Sequence, residues 1–98
     1  MRYPALLLIA LLVGCGPSLQ ARKDYVESHN RPRYVDEAIL NEKVVTGMTK
    51  ADVKASLGNP SSINESYSRG VGARTQWCYH GGDMLCIYFE SGTVTGWN

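Results

Sequence analysis

Hydrophobic and polar positions divide the chain into four stretches with different periods. Ala5–Val13 is an unbroken apolar run. Gly16–Arg33 is polar, holds Pro17 and Pro32, and has no apolar period, so it reads as an unstructured tether. As a flexible coil it would hold the following segment roughly 20–25 Å from its start. From Tyr34 to Leu57 apolar residues recur at helical spacing, and after Pro60 the period falls to two.

The helical stretch predicts two helices. Val35, Ala38 and Ile39 stand at i, i+3 and i+4, with Asp36-Glu37 placed early, where a helix N-terminus favours negative charge. That helix is expected from Tyr34 to about Lys43, followed by a turn at Thr46-Gly47. The second helix, Lys50–Leu57, has both ends specified. Thr49 is an N-cap with Asp52 three residues on, close to a capping box. Gly58 supplies the C-terminal cap, and Pro60 forbids continuation. Eight residues are too few for a stable free helix, so Val53 and Leu57 must dock on something. Met48, at the entry, reads as a staple-like core residue.

The alternating stretch predicts a sheet. Arg74–His80, Met84–Glu90 and Thr93–Trp97 read as strands separated by Gly81-Gly82-Asp83 and Ser91-Gly92, both hairpin signals. Ser61–Ser66 is a candidate short edge strand and Ser68–Ala73 a loop. Alternation places Trp77, Tyr79, Leu85, Ile87, Phe89 and Val94 on one face, which should meet the helices. A turn centred on Gly82 sets Cys78 across from Cys86 on the other face, within reach of a bond in a non-hydrogen-bonded pair. A two-residue turn at Ser91-Gly92 then sets Tyr88 across from Thr95 and Cys86 across from Trp97. The outer face should therefore carry Gln76, the two cysteines, Tyr88 and Trp97. Trp97 reads either as part of an exposed contact patch or as a lid folded over the cysteine pair.

The leader changes the picture of where this domain resides. Arg2, the apolar run and the sequence Leu12-Val13-Gly14-Cys15 resemble a bacterial lipobox. The run is too short for a permanent transmembrane helix. Residues 1–14 are then a lipoprotein signal peptide and residues 15–33 a lipidated tether. Cys15 carries the diacylglycerol and palmitate-type chains that give stable anchoring. Gly16, rather than Asp, after the cysteine favours the outer membrane, periplasmic face.

Without residues 1–14 the 98-residue chain keeps 84, enough for one small domain. The formal net charge of +1 leaves no basic stripe for nucleic acid. Of three cysteines, two remain after lipidation, and in an exported chain Cys78 and Cys86 read as a disulfide. A metal site of Cys78, His80 and Cys86 lacks a fourth ligand, since His29 lies in the tether.

Residues 34–98 also resemble a known domain. Val45-x-Gly47-Met48-Thr49-x-x-x-Val53-x-x-x-Leu57-Gly58-x-Pro60 resembles the signature of the BamE (SmpA/OmlA) lipoprotein domain. Gln76-Trp77-x-Tyr79 and Tyr88-Phe89-Glu90-x-Gly92-x-Val94-Thr95 resemble its strand motifs. The resemblance implies an α+β fold: two N-terminal helices packed on a three-stranded antiparallel sheet, as in modules of β-lactamase-inhibitor protein. It implies a non-enzymatic envelope protein, accessory to outer-membrane protein assembly or envelope integrity. The stretch Asn30–Tyr34 lacks the Gln-Gly-Asn-type contact motif found before the helices in BamE itself.

The chain offers no constellation for catalysis. His80 and Asp83 flank a glycine turn with no activated nucleophile beside them, and Ser91 is a turn former. Gly70–Gly72 and Gly81-Gly82 lack the strand–loop–helix setting that cradles phosphate. No metal, no cofactor beyond the covalent lipid on Cys15, and no small-molecule substrate are expected. The expected function is protein interaction or scaffolding with an envelope protein partner, through Gln76, Tyr88 and Trp97 on the open face and Arg69 and Arg74 near the loop. The alternative is a periplasmic inhibitor or binding protein of a secreted hydrolase.

Overall fold

The structure is a computed structural model that describes residues 16–70 and 72–98; residues 1–15, and with them the leader and Cys15, lie outside it, as does Val71. Three helices, α1 (Leu19–Ser28), α2 (Arg33–Leu40) and α3 (Lys50–Leu57), precede four strands, β1 (Ser62–Ser68), β2 (Gly72–Tyr79), β3 (Leu85–Glu90) and β4 (Thr93–Trp97). The strands form one open antiparallel sheet in the order β1-β2-β3-β4. The α+β class anticipated from the periods is present, with one more helix and one more strand than two and three.

The core forms where the two periods meet. Val35, Ala38 and Ile39 of α2, Met48, and Val53 of α3 are buried against Trp77, Ile87, Phe89 and Val94 of the sheet. Trp77 and Phe89 pack edge to face with centroids 5.0 Å apart, a favoured aromatic geometry. Tyr79 and Leu85 lean on the same cluster, so all six anticipated sheet residues share the helix-facing side. Thr49 caps α3 by a full capping box with Asp52, and Gly58 closes it. The loop before α3 then stitches to β4: Gly47 N–H donates to Val94 O at 3.0 Å, and Val94 N–H to Met48 O at 2.8 Å. Gly47 takes a φ of 91° there, a conformation open to glycine.

Three expectations need correction. The stretch 15–33, read as a coil tether, contains α1, which packs on α2 and α3. Ser18 caps it by accepting from Ala21 N–H at 3.1 Å. None of its residues is buried, and only Tyr25 and Val26 lean on the core, so it carries no apolar period to read. Its attachment is polar: the Tyr25 hydroxyl donates to Asp52 at 2.7 Å and Arg31 Nε donates to the same carboxylate at 3.0 Å. The helix expected from Tyr34 to Lys43 runs from Arg33 and ends at Leu40, with Glu42 turned to a φ of 57°. The candidate edge strand extends to Ser68, and β2 begins at Gly72, which leaves a turn instead of the loop Ser68–Ala73.

Asp52 is the polar centre of the helical layer. Its side chain is fully buried. Burial alone would push its carboxyl up, but the Thr49 backbone N–H, the Tyr25 hydroxyl and the Arg31 guanidinium together hold it below the ordinary carboxylate range. Burial, then the hydrogen bond to Asp52 and its charge, push the Tyr25 hydroxyl up to about 12.

A candidate interaction face

One side of the sheet carries the core; the other is not covered by any helix of the described residues. Pairing places Asn64, Gln76, Tyr88 and Gly96 in a single row across all four strands of that open side. Ser66, Arg74 and Glu90 form the next row, where Arg74 Nη2 stands 3.2 Å from a Glu90 carboxylate oxygen. Gln76 and Tyr88 are half-buried, whereas every β1 residue is exposed. The Tyr88 hydroxyl donates to Asn98 Oδ1 at 3.2 Å, which steadies the ring over the sheet. Together these residues line a shallow, open groove of about 710 Å³.

The Cys78–Cys86 disulfide closes one end of this face. The two Cα atoms lie 4.1 Å apart, the close spacing of a non-hydrogen-bonded pair. On its other side Cys86 exchanges both backbone hydrogen bonds with Asn98, at 3.0 Å each, so β3 is fixed on both edges at this position. The sulfurs are bonded to each other, so a metal site through Cys78, His80 and Cys86 does not form. Among the described residues no group of three His, Cys, Asp or Glu side chains stands together to hold a metal ion.

The anticipated contact residues divide. Gln76, Tyr88 and Arg74 meet in the groove. Arg69 lies in the exposed turn between β1 and β2, outside the groove lining. Trp97 is not on this face, and the expected pairing of Cys86 with Trp97 is corrected. Phe89 pairs with Val94, but Tyr88 pairs with Gly96 and Ile87 with Trp97, because the ladder is bulged between Tyr88 and Phe89. Thr95 is the extra residue, and one added residue turns the rest of β4 over. Trp97 therefore sits on the side of Ile87, away from the disulfide, and is neither a patch member nor a lid over the sulfurs. It is 47% exposed there.

Sequence reasoning missed the contribution of β1. Asn64 and Ser66 complete the groove, and the signal for them was the alternation Ser62, Asn64, Ser66, Ser68, which is polar on the side that β1 adds to the open face. Its other side presents Ile63 and Tyr67, 54% and 78% exposed. His80 is exposed at the end of β2, and its N–H donates to Ser61 Oγ at 3.1 Å. No helix of the described residues is long and apolar enough to cross a membrane. Comparison of the chain with protein families, with curated proteins and with solved structures found no match.

Proposed function

We propose that this chain is a bacterial envelope lipoprotein, anchored through Cys15 on the periplasmic face of the outer membrane. It serves as a non-catalytic module that binds another envelope protein. The observation that carries the binding role is the uncovered face with Asn64, Gln76 and Tyr88 aligned across the sheet. A partly buried tyrosine whose hydroxyl is already held, on a sheet stapled at Cys78–Cys86, is rigid before any partner arrives, which lowers the entropic cost of association. The lipobox-like Leu12-Val13-Gly14-Cys15 supports the anchor, and the disulfide agrees with an oxidising compartment. The resemblance of Val45–Pro60 to the BamE signature gives secondary support for an accessory role in outer-membrane protein assembly or envelope integrity.

The reading assigns no catalytic role to His80, Asp83 or Ser91, which are exposed at the end of β2, in the β2–β3 loop and in the β3–β4 turn. An inhibitor of a secreted hydrolase is the second reading, favoured by the groove itself, which has room for a protruding loop of a partner. Photo-crosslinking residues placed at Gln76 and Tyr88 of the full lipidated chain, in cells, test the choice. An adduct with an integral outer-membrane barrel or its assembly machinery supports the first reading. An adduct with a secreted hydrolase supports the second, and no protein adduct from either position removes the binding role.

A further inference from the structure

The chain meets the folded body at its first described residue. A Cβ built on Gly16 would stand 3.1 Å from the Leu57 carbonyl oxygen, so the backbone there is pressed against the end of α3 and glycine fits where a larger residue would crowd. The segment is held as it leaves: Pro17 O accepts from Arg22 Nε at 3.3 Å, Arg22 Nη1 donates to Leu40 O, and Arg22 pairs with Glu42 at 3.9 Å. A single peptide bond, about 3.8 Å from Cα to Cα, separates Gly16 from position 15.

That contact point marks one end of the molecule. Gly58 O, one residue past Leu57, accepts from the Tyr79 hydroxyl at 2.9 Å, and Ser61 N–H donates to Cys78 O at 2.8 Å. The C-terminal end of α3 therefore shares an end of the sheet with the β2–β3 loop, His80–Met84. The turns at Arg69-Gly70 and Ser91-Gly92 lie at the opposite end of the strands.

We propose that the domain stands end-on upon the bilayer, directly over its anchor, with the His80–Met84 loop against the lipid and the Arg69-Gly70 turn pointing away. This rests on the reading of Cys15 as the lipidated residue. With no spacer between Cys15 and Gly16, the acyl chains draw this end onto the headgroups. The loop suits that contact. It is exposed throughout, carries Met84 61% exposed, and holds one carboxylate, Asp83. A flexible thioether fits an irregular interface at little cost. The strands then rise from the membrane, and β2, of eight residues, spans about 25 Å. The groove thus faces sideways within that height, so a partner that fills it stands at the membrane too, as the periplasmic rim of an integral protein does.

The test uses the full chain, purified from membranes and reconstituted in vesicles of phosphatidylethanolamine and phosphatidylglycerol. Benzophenone amino acids replace Met84, Asp83 or Arg69 singly, and mass spectrometry reads lipid adducts. Adducts at positions 84 and 83, with background only at 69, are expected. Inserting about a dozen Gly/Ser residues between Gly16 and Pro17, a coil of roughly 20 Å, should abolish the difference. Lipidated Cys15 with equal adducts at the two ends, or with none at 83 and 84, overturns the end-on placement alone. An unmodified Cys15 on the mature chain overturns the anchor, and this placement with it.

Discussion

Arg31 and Asp52 form an ion pair at 2.9 Å that joins the segment before α2 to the first turn of α3. The Asp52 side chain is fully buried and that of Arg31 is 28% exposed. Tyr25 donates to the other carboxylate oxygen, so one side chain of α3 collects α1, the α1–α2 link and its own N-cap. The attachment of α1 combines these hydrogen bonds with those of Arg22, whose Nη1 donates to Leu40 O, and with Tyr25 and Val26 leaning on the core.

Removing a partner of that charge should release α1 before the domain. Arg31→Ala should cost about 2 kcal/mol, less than for a wholly buried pair because solvent reaches the guanidinium. Tyr25→Phe should cost about 1 kcal/mol. Urea unfolding measures the totals. Amide exchange should rise first across Leu19–Ser28, with the strands still protected.

The same centre gives a pH dependence with two limbs. Asp52 is held below the ordinary carboxylate range, so its stabilisation is present above the unfolded-state pKa, near 3.9, and is lost as pH falls through the depressed folded value. Tyr25 and Tyr79 are both raised to about 12, so their stabilisation is whole below about 10 and is lost as pH climbs from there toward 12. Thermal melts from acid to alkali should show a plateau between these limbs. In Asp52→Asn the acid limb should shrink.

Opening the disulfide should weaken the domain without erasing it. Replacing Cys78 and Cys86 with alanine should cost about 2.5 kcal/mol by loss of the short-loop constraint. The ladder on both sides of β3 keeps the register. A guanidinium titration gives the loss, and near-ultraviolet circular dichroism of Trp77 should persist below the midpoint.

Tyr88 and Trp97 lie on opposite faces of the sheet and should behave differently. With the crosslinking residue at position 76, Tyr88→Ala should abolish the partner adduct while costing about 1–2 kcal/mol of stability. Trp97→Ala, across the sheet from the groove, should leave the adduct intact and cost about 1 kcal/mol or less, because the indole is half exposed. Loss of the adduct in Trp97→Ala with Tyr88→Ala silent would place the interaction on the wrong side of the sheet.

Much of the molecule was legible because local rules agree with one another there. Thr49, Asp52, Gly58 and Pro60 bound α3 with no need of tertiary information, and the alternation through Trp77, Ile87 and Phe89 chose the same strand register as the cysteines. The candidate site was half legible. Gln76, Arg74 and Tyr88 follow from period two, but Trp97 does not, since a single unpaired residue at Thr95 reverses every side chain after it. Alternation along β4 does not announce the bulge, which appears only in its pairing with β3.

The sequence by itself determined the α+β order, the capped helix, the buried face and the cysteine pairing, because each depends on neighbours within a turn or across one hairpin. Tertiary structure alone decided that Leu19–Ser28 is a docked helix, that β1 widens the open face, and that Trp97 turns away from it. The first outcome depends on a buried carboxylate reached from more than twenty residues away in the chain, and the last on a one-residue bulge in the ladder between β3 and β4. Local periodicity carries no record of either.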